Sequence, residues 1–205
     1  MNRNGRLLVI SGPSGTGKGT ICSRLTTEME KVRLSISMTT RKKRGGETHG
    51  ESYYFVTREE FEETIERDGF LEYARVYDNY YGTPREKVLQ QLQAGYDVVL
   101  EIDTQGAEKI HRSFPGGIFI FILPPSMAEL RRRITGRGTD SAEVIERRLA
   151  EALSEIRCAR WYDYCVVNDD LEEAVRRVEA IILAEHARVD EGIDNVIAKY
   201  EEEEL

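Results

Sequence analysis

Four short apolar runs along the chain predict strands that are buried on both faces. They cover residues 6–11, 97–103, 117–123 and 164–168, and each is continuous rather than alternating, which is typical of parallel strands covered by helices. Stretches with a helical pattern separate the runs, so we expect a parallel sheet with helices on both faces. After the last run, apolar residues at helical spacing predict a helix packed on that sheet: Leu171, Ala174, Val175, Val178, Ile181 and Ile182.

Two segments depart from this alternation of strands and helices. Residues 37–90 are rich in Tyr, Gly, Arg and Thr and alternate in polarity at ESYYFV, which predicts an inserted α+β subdomain. Residues 126–150 predict an arginine-rich helix, a GRGTD loop and a second helix, which Asp140 and Glu143 would cap together. We therefore expect a single α/β domain over the whole chain. Its core would consist of residues 1–36, 91–125 and 151–205.

The composition narrows the classes of function. A formal net charge of −8 argues against general nucleic-acid binding, which usually needs a basic surface. No apolar stretch is long enough to predict a membrane span, and the N-terminus lacks the pattern of a signal peptide. The three cysteines form no CxxC pair, so we expect reduced thiols in a cytoplasmic protein. The three histidines are scattered and lack the spacing of metal ligands.

The segment GPSGTGK, residues 12–18, fits the G-x-x-x-x-G-K pattern of a phosphate-binding loop. A predicted strand precedes it and a helical pattern follows it, which is the context that such a loop requires. Glycines let successive backbone N–H groups turn toward a polyphosphate, and the N-terminus of the next helix favours anions. We expect Lys18 to reach the β- and γ-phosphates of a bound nucleotide.

The residue after this lysine departs from the usual pattern. Ser or Thr normally stands there and binds Mg²⁺ through its hydroxyl group, whereas this chain has Gly19. Thr20 offers a hydroxyl group one position further on. We therefore expect Mg²⁺ to be held through Thr20 and water, with less direct ligation by the protein.

Two arginines three positions apart indicate a second anion site. Arg41 and Arg44 follow several hydroxyl side chains, and two guanidinium groups can clamp one phosphate. Taken alone, the RKKR run is more typical of a solvated basic patch. The segments that follow, GGETHGESYYF and GFLEYARVYDNYYGTP, add tyrosines, a threonine and Glu72, and these favour a binding site.

With these segments the chain closely resembles the guanylate kinase family. The matching segments are SGPSGTGKGT, SMTTRKKRGGETHGESYYF, FLEYARVYDNYYGT, LEIDTQGA, ILPPSMAELRRRITGRGTD and VVNDDLEEA. They keep the order and spacing of the family from Leu7 to Ala184, which is nearly the whole chain. The resemblance implies a P-loop kinase fold with a GMP-binding subdomain at residues 37–90 and a helical lid at residues 126–150.

The resemblance also implies a role for each matching residue. ATP would lie on the loop residues Gly12, Pro13, Ser14, Gly15, Thr16, Gly17, Lys18, Gly19 and Thr20, with its adenine near Asn168. The guanine base would contact Ser37, Glu72 and Thr83. The GMP phosphate would be held by Arg41, Arg44, Tyr53 and Tyr81. The residues expected to act in catalysis are Lys18, Asp103, Arg137 and Arg148.

The chemistry of the carboxylates agrees with these roles. Guanine presents two adjacent donors, N1–H and the 2-amino group, and a carboxylate such as that of Glu72 can accept both. Adenine would turn a lone pair toward the same carboxylate, and such mismatches at buried polar groups discriminate strongly. Asp103 ends an apolar strand, where a carboxylate can face bound Mg²⁺ or the acceptor phosphate. Glu101 points to the same side of that strand, and the sequence leaves open how the two acids divide the role.

The activity implied is Mg²⁺-dependent phosphoryl transfer from ATP to GMP, and also to dGMP, as part of purine nucleotide metabolism. The segment at residues 126–150 would close over both nucleotides and exclude water. Three consecutive arginines, Arg131, Arg132 and Arg133, cannot share one helix face, so we expect Arg132 and at least one neighbour to be solvated. We expect ATP and GMP as partners, no nucleic acid or membrane, and a monomer or weak homo-oligomer.

Two other functions fit parts of the pattern. A kinase of the same architecture could act on a different nucleoside monophosphate, although Glu72, Ser37 and Thr83 favour guanine. A guanylate-kinase-like module could instead bind protein partners without catalysis. Such modules usually have a degraded phosphate-binding loop, whereas Lys18 is present here.

Overall fold

A five-stranded parallel sheet forms the centre of the computed structural model, which describes residues 4–76, 78–136, 142–189 and 192–203. Every neighbouring pair of strands in it is parallel. In spatial order the strands are β2 (Val32–Leu34), β7 (Asp97–Glu101), β1 (Leu7–Ser11), β8 (Ile118–Leu123) and β9 (Tyr164–Val167). The four predicted strands and the α/β class are confirmed. Strand β2 was not expected, because three residues of which one is buried give no apolar run.

The part of the chain between β2 and β7 forms a second sheet of four strands. In spatial order it consists of β4 (Tyr54–Phe55), β3 (Met38–Thr39), β6 (Asn79–Pro84) and β5 (Phe70–Val76). Strand β6 pairs antiparallel with both β3 and β5, and β3 pairs parallel with β4. Helix α2 (Arg58–Glu66) covers it and stacks Phe61 on Phe70 with ring centroids 4.4 Å apart. This part of the chain therefore has the expected α+β content.

Helices occupy most of the remaining chain. They are α1 (Lys18–Glu28), α3 (Arg85–Gln93), α4 (Thr104–Ser113), α5 (Met127–Thr135), α6 (Ala142–Arg157), α7 (Leu171–His186) and α8 (Ile193–Glu203), with a 3₁₀ turn at Cys158–Trp161. Asp103, Ser126 and Asp170 cap α4, α5 and α7, since each side chain accepts a backbone N–H three residues further on. The predicted cap at Asp140 lies outside the described residues.

The two faces of the central sheet bury separate apolar layers, because successive side chains of a strand point to opposite faces. On β1, Leu8 and Ile10 belong to the layer that contains α1 and α7. Leu7 and Val9 belong to the other layer, with α3, α4 and the 3₁₀ turn. The apolar face predicted for α7 is confirmed, since all six of its residues are buried in the first layer or packed against it. The loops at the carboxyl ends of these strands therefore stand on a core that is packed from both sides.

A third and smaller apolar cluster joins α5 to α6. Leu130 and Ile134 of α5 are buried against Leu149 and Ala152 of α6. An ion pair between Arg131 and Glu146 also links the two helices. The two helices therefore pack on each other as a pair. Of the helices that the structure describes, none has the length and apolar content needed to cross a membrane.

Candidate active site

The phosphate-binding loop joins the end of β1 to the start of α1, and glycines fix its course. Gly12 has a φ of 145° and Gly17 a φ of 89°, a region that residues with side chains rarely adopt. A Cβ atom at Gly12 would lie 2.2 Å from the carbonyl oxygen of Ile122, and one at Gly17 would lie 2.4 Å from Asn168 Nδ2. Both positions therefore require glycine, for backbone conformation and for close packing alike.

The Lys18 side chain folds back against the carbonyl oxygens of this loop. Its ammonium group donates to the carbonyl oxygens of Gly12 and Pro13, the second at 3.0 Å. Burial lowers the pKa of Lys18, and the negative charge of Glu101 opposes this most strongly. A partly desolvated cation beside the loop favours the binding of an anion there.

Carboxylates from three elements raise the pKa of Lys18. Glu101, at the end of β7, raises its pKa most, Glu155 of α6 follows, and Asp103 acts less. Asp103 uses Oδ1 to accept the backbone N–H of Gly106 at 2.8 Å, which caps α4. The sequence leaves open how Glu101 and Asp103 divide their role. In the structure, Glu101 raises the pKa of Lys18 more than Asp103 does. Glu155 was not predicted, because nothing in the pattern of α6 indicates that it faces the loop.

Oxygen donors suited to Mg²⁺ lie at the start of α1. Thr20 is exposed in the first turn of this helix. A Cβ atom at Gly19 would lie 3.4 Å and 3.6 Å from the two carboxylate oxygens of Glu101, so this carboxylate faces the position from which Ser or Thr normally binds the metal. Mg²⁺ usually takes one or two carboxylates together with waters and substrate phosphates, so these residues fit it. Within the described ranges, no group of three or more His, Cys, Asp or Glu residues could hold a metal ion.

The two arginines expected to clamp a phosphate meet a single carboxylate, that of Glu47. Arg41 donates from Nη2 to Glu47 Oε1 at 2.6 Å and from Nη1 to Oε2 at 3.0 Å. Arg44 donates its backbone N–H to Oε2 at 2.8 Å. These bonds, first that from Arg41, lower the pKa of Glu47 to about 2. Glu47 was not predicted, because a lone acid next to a basic run gives no signal of its own.

The two tyrosines expected beside the clamp lie there. The rings of Tyr53 and Tyr81 meet edge to face with centroids 6.0 Å apart. The guanidinium group of Arg41 lies over the Tyr53 ring at 5.4 Å and also interacts with the Tyr81 hydroxyl group. The pairing of Thr39 with Tyr81 between β3 and β6 brings these distant parts of the chain together. The structure therefore joins three of the four predicted clamp side chains, while the side chain of Arg44 is exposed.

The Glu72 side chain is largely buried, and the residue lies directly opposite Thr83 in the pairing of β5 with β6. Thr83 Oγ1 donates to Glu72 Oε1 at 2.7 Å. Burial raises the pKa of Glu72, the bond from Thr83 opposes this, and the charge of Asp103 adds to it. A Cβ atom at Gly106 would lie 3.3 Å from Glu72 Oε2, so the start of α4 lies against this carboxylate. The charge of Asp103, the capping residue of α4, raises the pKa of both Glu72 and Lys18.

The remaining predicted residues lie around this centre. Ser37 stands between β2 and β3, partly exposed, and its carbonyl oxygen accepts the backbone N–H of Tyr54 at 2.9 Å. Asn168 follows β9 and is buried against the phosphate-binding loop. Arg148 is partly buried in α6. Arg137 lies outside the described residues.

Known proteins similar to this chain include guanylate kinases from several organisms. A sequence model of the guanylate kinase family matches residues 4–185. A guanylate kinase of Caldanaerobacter subterraneus subsp. tengcongensis is 55% identical over 194 residues, which cover 95% of this chain and 94% of that protein. One of Clostridioides difficile is 48% identical over 201 residues, or 98% of each chain. The crystal structure of guanylate kinase from Anaplasma phagocytophilum has a TM-score of 0.74 at 36% identity, covering 95% of this chain and 94% of that one. Because these matches span nearly the whole length, the chain belongs to the guanylate kinase family.

Proposed function

We propose that this protein transfers the γ-phosphoryl group of ATP to GMP, giving ADP and GDP. The observation that supports this most directly is the largely buried Glu72 carboxylate, held by Thr83 beside a phosphate-binding loop. A carboxylate that has lost its water needs donors, and the paired N1–H and 2-amino groups of guanine supply two of them. Adenine, cytosine and uracil do not present this pair of donors, which makes GMP the preferred acceptor. The same reasoning extends to dGMP, because its base is identical.

In this proposal the acceptor phosphate lies in the clamp around Arg41. The Glu47 carboxylate, bound there by a guanidinium fork and a backbone N–H, supports the idea that this loop accepts oxyanions. Tyr53 and Tyr81 would supply hydroxyl donors to the same phosphate, and Arg44 a second guanidinium group. Ser37 and Thr83 would complete the contacts to the base.

The loop residues Gly12 to Thr20 would hold the ATP phosphates, with the adenine near Asn168. Phosphoryl transfer requires alignment and neutralisation of charge rather than covalent work by the protein. Lys18 would neutralise charge on the transferring group, and Arg137 and Arg148 would do so from the lid. No general base is needed, because the phosphate of GMP is already largely ionised at neutral pH.

Mg²⁺ would be held by Thr20 and Glu101, partly through water. When bound, it supplies positive charge that stabilises the phosphates during transfer. The carboxylate of Glu101 beside Gly19 supports this choice of ligands. Asp103, between Lys18 and Glu72, would then orient groups where donor and acceptor meet.

We also propose the division of labour expected from the sequence, with a GMP-binding subdomain at residues 37–90 and a lid at residues 126–150. The packing of α5 on α6 supports a lid built as one pair of helices. Three free cysteines fit a cytoplasmic enzyme. A monomer or weak homo-oligomer is proposed for the oligomeric state, which analytical ultracentrifugation would measure.

The experiment that tests this function measures ADP release with GMP, dGMP, AMP, CMP, UMP and dTMP as acceptors. We expect GMP to give the highest kcat/KM, with dGMP next. Preference for another nucleotide would assign the protein to a different nucleoside monophosphate kinase activity. Peptide binding without ATP turnover would instead favour a non-catalytic module.

A further inference from the structure

Helix α4 packs against β5, the edge strand of the second sheet. One side of the β5 backbone therefore has no strand partner among the described residues. Lys109 of α4 donates from Nζ to the backbone carbonyl oxygen of Tyr73 in β5 at 2.6 Å. The same ammonium group lies 5.5 Å from the centre of the Tyr73 ring. Lys109 thus ties a helix of the core to a strand of the proposed GMP-binding subdomain.

The residue before Tyr73 is Glu72, the carboxylate proposed to bind guanine. Gly106 stands one turn before Lys109 on the same face of α4, and a Cβ atom there would lie 3.3 Å from Glu72 Oε2. This face of α4 therefore contacts both the backbone and a side chain of β5. Because the Tyr73 backbone is bound to α4, the point from which the Glu72 side chain extends is held there as well.

Charges from α4 act on Glu72 with opposite signs. Burial raises the pKa of Glu72 most, and the bond from Thr83 of β6 opposes this. The charge of Asp103, at the start of α4, raises the pKa further, whereas the charge of Lys109 lowers it. Lys109 therefore supplies positive charge near a carboxylate that burial and a neighbouring acid both make harder to ionise.

We propose that Lys109 is a positioning residue for guanine recognition, which ties the strand of Glu72 to α4 and places a positive charge near its carboxylate. The compact ammonium group of lysine carries three donors, so it binds the carbonyl oxygen of Tyr73 and still acts on the nearby carboxylate. Lys109 acts through Glu72 rather than on the nucleotide. The inference rests on the proposed function in one respect, namely that the base bound by Glu72 is guanine.

The first test compares Lys109→Met with Arg112→Met in steady-state kinetics. Both variants remove one positive charge from an exposed position of α4, but Arg112 pairs with Glu108 on its own helix. We expect Lys109→Met to raise the KM for GMP about threefold at pH 8, with kcat and the KM for ATP within about twofold of wild type. Arg112→Met should leave all three values near wild type. Equal effects of the two variants, or equal rises in both KM values for Lys109→Met, would overturn the proposal.

The pH dependence separates an effect of charge from a purely mechanical tie. Guanine needs the ionised form of Glu72, and loss of the Lys109 charge should raise the pKa of this carboxyl. The KM for GMP of Lys109→Met relative to wild type should therefore grow as the pH falls, from about threefold at pH 8 to about tenfold at pH 5.5. The titration of the GMP phosphate is common to both proteins and cancels in this ratio.

The conservative variant Lys109→Arg provides the control for the pH dependence. Arginine keeps the charge and the donors, so the KM for GMP should stay within about twofold of wild type at both pH values. A ratio for Lys109→Met that does not change with pH would overturn the proposal, because a mechanical tie alone gives no such dependence.

An NMR titration of the Glu72 carboxyl carbon in the free protein separates this inference from the proposed function, since it needs no nucleotide. Loss of the signal in Glu72→Gln assigns it. The pKa of Glu72 should be higher in Lys109→Met than in wild type and unchanged in Arg112→Met. An equal pKa in wild type and Lys109→Met would refute the role of Lys109, whatever the acceptor is. If the pKa differs but wild-type protein shows no GMP-dependent turnover, the proposed function is refuted, whereas the action of Lys109 on Glu72 stays supported.

Discussion

The phosphate-binding loop and the clamp around Arg41 are both built for oxyanions, but they are held in place by different means. The loop depends on backbone conformation at Gly12 and Gly17 and stands on strands packed from both sides. The clamp depends on side-chain pairing, since Glu47 holds Arg41 on the surface of the second sheet. We therefore expect the loop to keep its shape when its charge is removed. The clamp should lose its shape when the charge of Glu47 or Arg41 is removed.

The largest effect is expected at the loop, for Lys18→Ala. Loss of a preorganised positive charge at the transferring phosphoryl group should lower kcat by about 10³-fold. The melting temperature should not fall, because burial already disfavours the charged form of Lys18. ADP-release kinetics and scanning calorimetry measure the two quantities. The exposed Lys31→Ala serves as the control, and near-normal turnover of Lys18→Ala would remove the loop from the mechanism.

The next largest effect is expected in the base pocket, for Glu72→Gln. The amide keeps the shape of the carboxylate but presents a donor to one of the two guanine donors, so kcat/KM for GMP should fall about 10²-fold. The KM for ATP should change little, because the loop is formed by other residues. Glu66→Gln, on an exposed surface of α2, provides the matched control. Equal losses for both nucleotides would place Glu72 outside the base pocket.

The same variant has an expected signature in stability. Burial raises the pKa of Glu72, so the folded protein without ligand binds its proton more tightly than the unfolded chain does. The ionised Glu72 carboxylate therefore lowers the free energy of unfolding, and this effect appears as the pH rises above the usual range of glutamate and through the raised pKa. Glu72→Gln should melt above wild type at neutral pH and close to it at pH 4. A difference in melting temperature that stays the same at both pH values would contradict this assignment of the charge.

The loop and the clamp also differ in how much of each could be predicted from the sequence. The loop was predictable because glycines and Lys18 stand in one short local pattern between a strand and a helix. Glu72 and the clamp residues come from separate strands, and only the resemblance to a family could group them before their pairing was known. Glu47 and Glu155 could not be found, because their importance lies in partners that the fold brings to them.

Strand β2 and the contact of Arg133 were missed for related reasons. Three residues with one buried side chain are too short to give a periodic signal. The three arginines of α5 carry the same side chain, but Arg133 differs from Arg132 because its Nη2 donates to the backbone carbonyl oxygen of Asn168 at 3.0 Å. The prediction that Arg132 is solvated is confirmed by its exposure of 77%.

A tenfold effect is expected at the clamp, for Arg41→Lys. Lysine keeps the charge but cannot form the two parallel bonds that Arg41 makes with a carboxylate or phosphate, so the KM for GMP should rise about tenfold. The KM for ATP should stay within about twofold of wild type. The exposed Arg112→Lys, whose partner is Glu108, is the control for a general loss of arginine pairing. An unchanged KM for GMP would mean that the clamp does not rely on the shape of the guanidinium group.

The smallest effect is expected for Glu47→Gln. This variant tests whether the contact between Glu47 and Arg41 depends on charge or on the geometry of its hydrogen bonds. The pKa of Glu47 in the folded protein is about 2, below the ordinary value of 4.5, so its contribution to stability is present above the ordinary value and is lost as the pH falls toward 2. The two side chains are only 12% and 21% exposed, but the amide oxygen of glutamine still accepts a hydrogen bond from Arg41, so Glu47→Gln should melt only slightly below wild type at pH 7. That gap should shrink between pH 5 and pH 3, measured by calorimetry with the exposed Glu51→Gln as control. A gap that stays constant to pH 3 would mean that Glu47 holds Arg41 through the geometry of its bonds, and the clamp would then resemble the loop in depending on shape.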